Sequence, residues 1–391
     1  MFIFLLIFAS LSFGIGIDEA MKTALERSPQ IKALEEEIKV FEGRKRSALA
    51  FPNPEVRIES GFLTNDRSGK PKGKALYLLE FNQPIPLWGV REKSEEVVLK
   101  EKESFESAVE TQRRKILGEV YRSFYRSLYL KETARIWKEN YETAKGVEDF
   151  VRKAYGLGEV TELELMRAER EKDLARIQYS VSLSRYRASL KELSRLTGVE
   201  VHGVVGDLRS YPSLREVNVE RLPMVVSIRK RIERVEREIE LEKALARPRL
   251  SAGFVVEDAD GEYYGMRGAI TLEVPIFYRR QGEILQSLAM RKALKRQLEA
   301  ELLRVRTRLE SVRIRMETFE RELRRLEKKV IPRAREELAL AIKSYRNRVI
   351  TLLELSDVRR RYYELLIKRA ELLLNMHETY SEFIEIGGWK K

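Results

Sequence analysis

The sequence predicts a mostly α-helical protein with a small β part, in which a long helical hairpin and a strand pair occur twice in tandem. Three observations predict it. The phrase "AYGLGEVTELEL" at Ala154–Leu165 returns as "SYRNRVITLLEL" at Ser344–Leu355, so that Tyr155, Thr161, Leu163, Glu164 and Leu165 recur as Tyr345, Thr351, Leu353, Glu354 and Leu355. Two stretches of about 66 residues, Val90–Tyr155 and Arg280–Tyr345, are apolar-periodic and densely charged, each long enough for roughly 100 Å of helix. Upstream of each lie two short segments with period-two alternation, the pattern of strands wet on one face.

The elements follow in order. Residues 1–16, beginning "MFIFLLIFASLSFG", read as a secretory signal peptide: the apolar core is too short to span a bilayer, and the small residues Ser10, Ser12 and Gly14 follow it, with cleavage near Gly14 or Gly16. The first repeat, 17–198, holds a helix at Pro29–Leu49, strands at about 54–63 and 74–84, a long helix 89–155 and a return helix 161–197. A linker, 199–222, leads to the second repeat, 223–388. This has a helix at Pro223–Ala246, strands at about 249–257 and 266–275, a long helix 279–345 and a return helix 351–386, with a short tail at 389–391. "PEVRIESGF" corresponds to "PRLSAGFVV", "PLW" to "PIF" and "LTG" to "IGG", at offsets of 189 to 194 residues. Repeats of this length mean duplicated domains. Pro332 should kink the second long helix.

In the strands, Val56, Ile58 and Phe62 alternate with Glu55, Arg57 and Glu59, and Ile270, Leu272 and Val274 oppose Arg267, Thr271 and Glu273. Their length suits a tilted transmembrane strand of about 9–11 residues. Trp88, Phe277 and Tyr278 flank them on one side and Tyr263 and Tyr264 on the other, where amphipathic rings favour a membrane–water boundary. Four strands cannot close a barrel, and an open edge cannot sit in lipid. Several chains must therefore pool strands; three copies would supply twelve. Helices of this length also need lateral neighbours, which again requires an oligomer.

The repeated phrase sits where a long helix ends and a shorter one starts. Gly156 and Gly158 permit positive φ at the first break. Thr161 with Glu164, and Thr351 with Glu354, are placed as capping boxes, with Val160/Leu165 and Ile350/Leu355 as hydrophobic staples. The second tip carries Arg346, Asn347 and Arg348 where the first has glycines. Its turn is expected to differ, with Asn347 in the left-handed region.

In these tandem halves, the "Tyr-x-x-Gly-x-x-x-x-Leu-Glu-Leu" tip at Tyr155–Leu165, its partner at Tyr345–Leu355 and the "LTG" at Leu196–Gly198, the sequence resembles TolC-type outer-membrane efflux channels, the outer-membrane factors of tripartite pumps. "FPNPEV" (Phe51–Val56) and "VIPRA" (Val330–Ala334) resemble the heavy-metal efflux branch. The resemblance implies a homotrimer with a twelve-stranded β-barrel in outer-membrane lipid and a trimeric α-barrel in the periplasm. The 199–222 linker and the C-terminal tail would form an equatorial region. The partners implied are a periplasmic adaptor (membrane fusion) protein and an inner-membrane pump, with passage of metal ions or drugs through a passive conduit. It places a periplasmic gate at Glu354 and Asp357, matched in the first tip by Glu164 and Arg167. Three copies of the acids about an axis would repel one another and attract cations, and Arg167 could pair with Asp357 as a latch. Tip turns and adaptor contacts would involve Tyr155, Gly156, Gly158, Thr161, Tyr345, Arg346, Arg348 and Thr351, the tyrosines as interhelical tethers. The membrane-interface aromatics would be Trp88, Phe277 and Tyr278. Family members that are lipoproteins carry an N-terminal Cys, which this chain lacks.

Composition narrows the alternatives. With no Cys and only His202 and His377, disulfides, thiol catalysis and a His-rich metal site are excluded. There is no GxGxxG, P-loop, HExxH or Ser/His/Asp pattern, so neither enzyme activity nor a cofactor is expected. The net charge of +13 is interspersed with acids, as in "RKRIERVEREIELEK" (Arg229–Lys243), the pattern of a solvated helix face and not of a nucleic-acid interface. The remaining alternative is a soluble periplasmic coiled-coil scaffold. It accounts for the helices but not for the leader or the amphipathic strands.

Overall fold

In a computed structural model of the chain, residues 14–64, 73–259 and 263–388 are described. Most of the expected signal peptide (1–13), the strand loops (65–72 and 260–262) and the tail 389–391 lie outside them. The elements are α1 (Ile17–Arg27), α2 (Pro29–Leu49), β1 (Glu55–Thr64), β2 (Gly73–Ile85), α3 (Val90–Gly156), α4 (Glu162–Thr197), α5 (Pro223–Leu245), β3 (Arg249–Ala259), β4 (Tyr263–Glu273), α6 (Gln281–Arg325), α7 (Ile331–Arg346) and α8 (Leu352–Phe383). The fold is mostly helical, with one four-stranded antiparallel sheet. No described helix is long and apolar enough to cross a membrane. The described residues form two compact units: one takes in residues 14–34 with Val109–Leu222 and residues 303–388, the other the described part of Glu35–Ala108 with that of Pro223–Leu302.

The second of these holds the sheet, in the order β1-β2-β3-β4. The hairpins of the two repeats are joined by β2–β3 pairing, in which Phe81 faces Phe254 and their rings stack at 5.4 Å. Period-two alternation separates two faces. One is apolar yet bare: Ile58 is 78% and Ile270 79% exposed, and Val56, Tyr77, Leu79, Met266 and Leu272 are exposed with them. The other carries charge arranged as cross-strand pairs, Arg267 with Glu257 at 2.5 Å and Arg249 with Glu273 at 3.7 Å. Below the sheet, Ile228, Ile232, Val235 and Ile239 of α5 form a heptad-spaced seam that buries Leu294 of α6. Ser104 and Ser227 exchange hydroxyl-to-carbonyl hydrogen bonds of 3.1 Å between α3 and α5.

The other unit is a bundle of α1, α4, α7, α8, the greater part of α3 and the half of α6 from Leu303 onward. The sequence reading omits α1, which packs Ala20, Met21 and Ala24 inward. Proline opens the next helix, where its missing N–H costs nothing. α3 runs 67 residues without a break. Its counterpart is interrupted by a π-helical turn at Leu326–Val330, immediately before Pro332. The wider turn accommodates a ring that would collide with the carbonyl four residues back. α8 likewise ends at Phe383, short of the expected 386, and passes into a π turn at Ile384–Gly388 where Gly387 has φ 133°.

The linker is fastened to this unit by main-chain and side-chain bonds. Lys131 Nζ donates to Val204 O at 2.8 Å. His377, fully buried, has Nε2 2.9 Å from Leu208 O and Nδ1 2.9 Å from Tyr121 Oη. A carbonyl only accepts, so the proton sits on Nε2 and the Tyr121 hydroxyl donates to Nδ1. Burial pushes the His377 pKa down to about 4 and the Tyr121 phenol well above its ordinary value.

Candidate functional site

Four helices meet at the two hairpin tips around a small apolar cluster: Val151 of α3, Ala168 of α4, Ala341 and Tyr345 of α7, and Leu352 and Leu355 of α8. Val160, Leu165 and Ile350 pack against it, so the staple residues close over one shared core. Each tip is thereby a local structure pinned by a tertiary one.

The two turns have the same path, contrary to the expectation drawn from their sequences. Gly158 N–H donates to Tyr155 O and Glu159 N–H to Ala154 O, both at 2.9 Å; Arg348 N–H donates to Tyr345 O and Val349 N–H to Ser344 O, also at 2.9 Å. These are two Schellman motifs with the left-handed residue in the same place. Gly158 takes it with φ 71°, and Arg348, not Asn347, takes it in the second tip with φ 61°. Asn347 stays at φ −88°, ψ 4°. The register of the helix end decides which residue turns left, and local preference does not move it. Gly156 is helical, the last residue of α3.

The caps also differ. Thr351 Oγ1 accepts from Glu354 N–H at 3.3 Å, and the Glu354 carboxylate accepts from Thr351 N–H at 2.7 Å, a complete capping box. These donors hold the Glu354 carboxyl below its ordinary pKa. Thr161 Oγ1 accepts from Glu164 N–H at 3.3 Å, but the expected reciprocal bond is replaced: Glu164 Oε1 accepts from Tyr345 Oη at 2.7 Å. A buried phenol must find a partner and competes successfully for that carboxylate. Desolvation and the carboxylate beside it raise the Tyr345 pKa.

A second tie joins the tips. Arg348 Nη1 donates to Glu159 O at 3.1 Å, and its Nη2 bonds the Glu159 carboxylate. Neither Glu159 nor this role of Arg348 was singled out in the sequence. The signal was present as opposite charge in the two matching turns, Glu159 in one and Arg346 and Arg348 in the other. Of the two tyrosines, Tyr345 is a tether, whereas Tyr155 remains 41% exposed. Arg346 and Arg167 are exposed. Asp357 is not latched by Arg167 within the chain; it is held by Arg360 at 2.6 Å and Arg361 at 2.9 Å on its own helix. The Arg360 hydrogen bond lowers its carboxyl pKa first, followed by the charge of Arg361. Helical spacing of three and four residues makes those partners nearer than anything on α4.

Higher in the bundle, Thr143 and Tyr363 hydroxyls lie 2.8 Å apart and Arg359 Nη2 donates to Glu171 at 2.9 Å, so α3 and α4 are also tied to α8 by polar groups. No group of acidic, His or Cys side chains among the described residues has the arrangement of a metal site. In the sheet-bearing unit, Trp88, Phe277 and Tyr278 stand at the strand-to-helix junctions and are exposed. Trp88, with φ 64°, donates its indole N–H to Pro248 O at 2.8 Å beneath the Arg247 guanidinium, 5.0 Å from the ring. Tyr278 Oη donates to Glu283 at 2.5 Å.

Comparisons with known proteins agree with this geometry. The model of the family described as outer membrane efflux protein matches residues 20–199. No curated protein matches the sequence. Among solved structures, that of CusC superposes with a TM-score of 0.80 at 13% identity, covering 96% of this chain and 94% of that one. A membrane protein from Pseudomonas aeruginosa gives 0.79 at 16% identity, with 95% and 93% covered. The Campylobacter jejuni CmeC outer membrane channel gives 0.75 at 16% identity, with 95% and 85% covered. At such identities the likeness is one of fold. The family's sequence pattern over residues 20–199 and the likeness of fold over nearly the whole length both make this chain similar to the outer membrane efflux proteins.

Proposed function

We propose that this chain is one of three identical walls of the exit duct of a tripartite efflux pump, a passive conduit from the periplasm across the outer membrane. The observation that carries the reading is the sheet: an exposed apolar face, an ion-paired polar face, and open edges at β1 and β4. Water does not suit the apolar face; burying each such side chain in lipid contributes roughly 1.5–3 kcal/mol. Lipid does not suit the open edges, where each unpaired backbone group costs several kcal/mol. Both are satisfied when copies join edge to edge with the apolar face outward, and three copies make twelve strands. Trp88, Phe277 and Tyr278 then lie at the membrane boundary and the helices wall a periplasmic tunnel. A soluble scaffold leaves the sheet unexplained.

The tips are the gate of this reading. The ties Tyr345–Glu164 and Arg348–Glu159 hold the hairpins of one chain together, while Glu354 and Asp357, ionised and supported by local donors, present their charge from the start of α8. Arg167 stands exposed in the matching turn of α4. Beside the second tip an open groove of about 450 Å³, lined by Leu340, Ile350 and Val358 with Glu336 and Glu354 at its edge, together with the exposed Tyr155, Arg346 and the glycine turn, suits a helical hairpin of a periplasmic adaptor. The adaptor links the duct to an inner-membrane pump, which supplies the energy. The heavy-metal branch suggested by "FPNPEV" and "VIPRA" makes metal ions the first substrates to assay.

The test is extraction from outer membranes in mild detergent, followed by mass determination and planar-bilayer recording. A trimer that conducts ions is expected. A monomer free of lipid and without conductance would overturn the reading.

A further inference from the structure

We propose that a groove between α3, α4 and α8 binds a small organic anion with a flat aromatic body. The groove is built within one chain, so the inference stands apart from the duct reading.

The groove holds about 640 Å³, a volume that suits a drug-sized molecule. Tyr129 and Trp137 of α3 wall it on one side. Ile177 and Val181 of α4 wall it on the other, and they are 59% and 44% exposed. The linker does not fill it. Gly206 of the linker packs against Phe124 and Leu128, whereas Thr133, which lines the groove, is nine residues beyond Phe124. At about 3.6 residues per turn that is half a turn round α3, so linker and groove occupy opposite faces of the helix.

The polar groups of the groove lack partners within the chain. Arg126 and Arg185 both line it. Neither has an acid three or four residues away along its helix, and neither makes an ion pair among the described residues. Neighbouring arginines do: Arg122 bonds Glu385 at 2.7 Å, Arg135 bonds Glu132 at 2.7 Å and Arg195 bonds Glu192 at 2.6 Å. The charges of Arg185 and Arg126 are both felt at the Tyr129 phenol, which puts them on one part of the groove. Glu378 of α8 is the one carboxylate lining it, and two guanidiniums outweigh it. Thr133, 8% exposed, points a hydroxyl that makes no hydrogen bond. The Tyr129 hydroxyl stands near it but outside bonding geometry. A buried hydroxyl without a partner is costly to keep. An anionic head satisfies both guanidiniums by charge-assisted bonds and accepts from Thr133, while an aromatic body lies between the rings and the α4 side chains. A bare metal cation meets only repulsion from the two arginines.

The test is calorimetric titration of the detergent-purified protein with 2-naphthalenesulfonate and, as a matched neutral body, 2-naphthalenesulfonamide. Quenching of Trp137 fluorescence locates the binding, with Trp137→Phe as the blank. The sulfonate should bind at least tenfold tighter than the sulfonamide; equal binding of the two overturns the proposal. Arg126→Gln with Arg185→Gln alters only exposed side chains and should remove that preference, and wild-type affinity in the double variant also overturns it. Thr133→Val keeps the shape, and should weaken the sulfonate severalfold without lowering the unfolding temperature; unchanged affinity would remove the hydroxyl from the site. Displacement of the probe by an equal concentration of sulfate would make charge alone sufficient and overturn the two-part site. No binding of either compound, with Trp137 shielded from acrylamide, would mean that a second copy covers the groove, and overturns the proposal. A conducting trimer that binds neither compound sinks this inference and leaves the channel reading standing.

Discussion

Arg348→Gly sets two effects at the proposed gate against each other. Arg348 holds a left-handed conformation, φ 61°, that costs a side-chain-bearing residue about 1 kcal/mol relative to glycine. In return its guanidinium bonds Glu159 across the tips. That ion pair is exposed, with 53% and 45% of the side chains in solvent, so it contributes only about 0.2–1 kcal/mol. The substitution removes the strain and the tie together. The tip's own folding stability should therefore change by no more than about 1 kcal/mol, towards greater stability. The attachment of one hairpin to the other is lost outright, however. Glu159→Gln removes the charge of the tie and leaves the strain, so it should loosen the hairpins with no stabilisation. The assays are hydrogen exchange over residues 150–160 and 344–351 and single-channel conductance in planar bilayers. Both variants should raise conductance or open probability, while only Arg348→Gly keeps or improves protection within 344–349. Wild-type conductance in Arg348→Gly, or loss of protection there greater than in Glu159→Gln, would refute the reasoning.

Other outcomes follow from the same structure. Asp357→Ala removes a carboxylate held ionised by Arg360 and Arg361 and should raise bilayer conductance; unchanged conductance removes Asp357 from the gate. His377 is neutral in the fold, with a pKa of about 4 against an ordinary 6.5. Its contribution is whole above pH 6.5, is lost as pH falls from 6.5 towards 4, and levels off below, amounting to about 3 kcal/mol at most. Thermal unfolding of His377→Gln should thus lose less stability than wild type between pH 7 and 4.5, and parallel pH profiles would contradict the burial argument. Ile270→Lys places a charge on the apolar face and should cost about 2–4 kcal/mol near mid-membrane, less towards a boundary. It should lower the yield of inserted trimer, whereas Thr271→Lys on the polar face should not; equal yields would reverse the assignment of faces.

Much of this was legible in the sequence, and the failures have different causes. The strands were visible because period two with charge on one face needs no partner to be recognised, and the tips because Thr-x-x-Glu is a local device. Thr351 and Glu354 close their box as read. Thr161 and Glu164 do not, because Tyr345, 181 residues away, takes the carboxylate, and nothing near Glu164 announces it. The left-handed residue was misassigned for the opposite reason. Asn347 is the better local choice, but the Schellman hydrogen bonds fix the position, and Arg348 occupies it. The Asp357–Arg167 latch neglected the arginines three and four residues along α8. The omission of α1 was avoidable, since Asp18 and Glu19 in its first turn and the spacing of Ala20, Met21 and Ala24 mark a helix. The β2–β3 pairing was not legible, because all four strands share one pattern and alternation does not say which edges meet.

The gate proposed above must be stable when shut and still open at small cost, and the contact between Arg359 and Glu171 bears on how this bundle could meet both demands. Arg359 is 5% exposed, and desolvation pulls its guanidinium below the ordinary pKa. Glu171, the residue it bonds at 2.9 Å, is about one-third exposed. The pair is therefore unequal. Taking Arg359 out of water costs several kcal/mol, and a half-wet carboxylate repays only part of it. Arg359→Met keeps the stem's volume, removes the buried charge and leaves Glu171 free to turn to solvent; it should be neutral or stabilising by about 1–4 kcal/mol. Glu171→Ala leaves the guanidinium buried without its anion and should destabilise by about 3 kcal/mol, somewhat less where water reaches in. Hydrogen exchange of α4 and α8 over 165–175 and 355–365 reads both. If the two variants weaken the bundle equally, the ion pair is a simple strut and the asymmetry argued from burial is wrong. If Arg359→Met strengthens it and also slows opening in bilayer recordings, the buried charge is what keeps the shut state from being too stable, because moving α8 away returns an expensive cation to water.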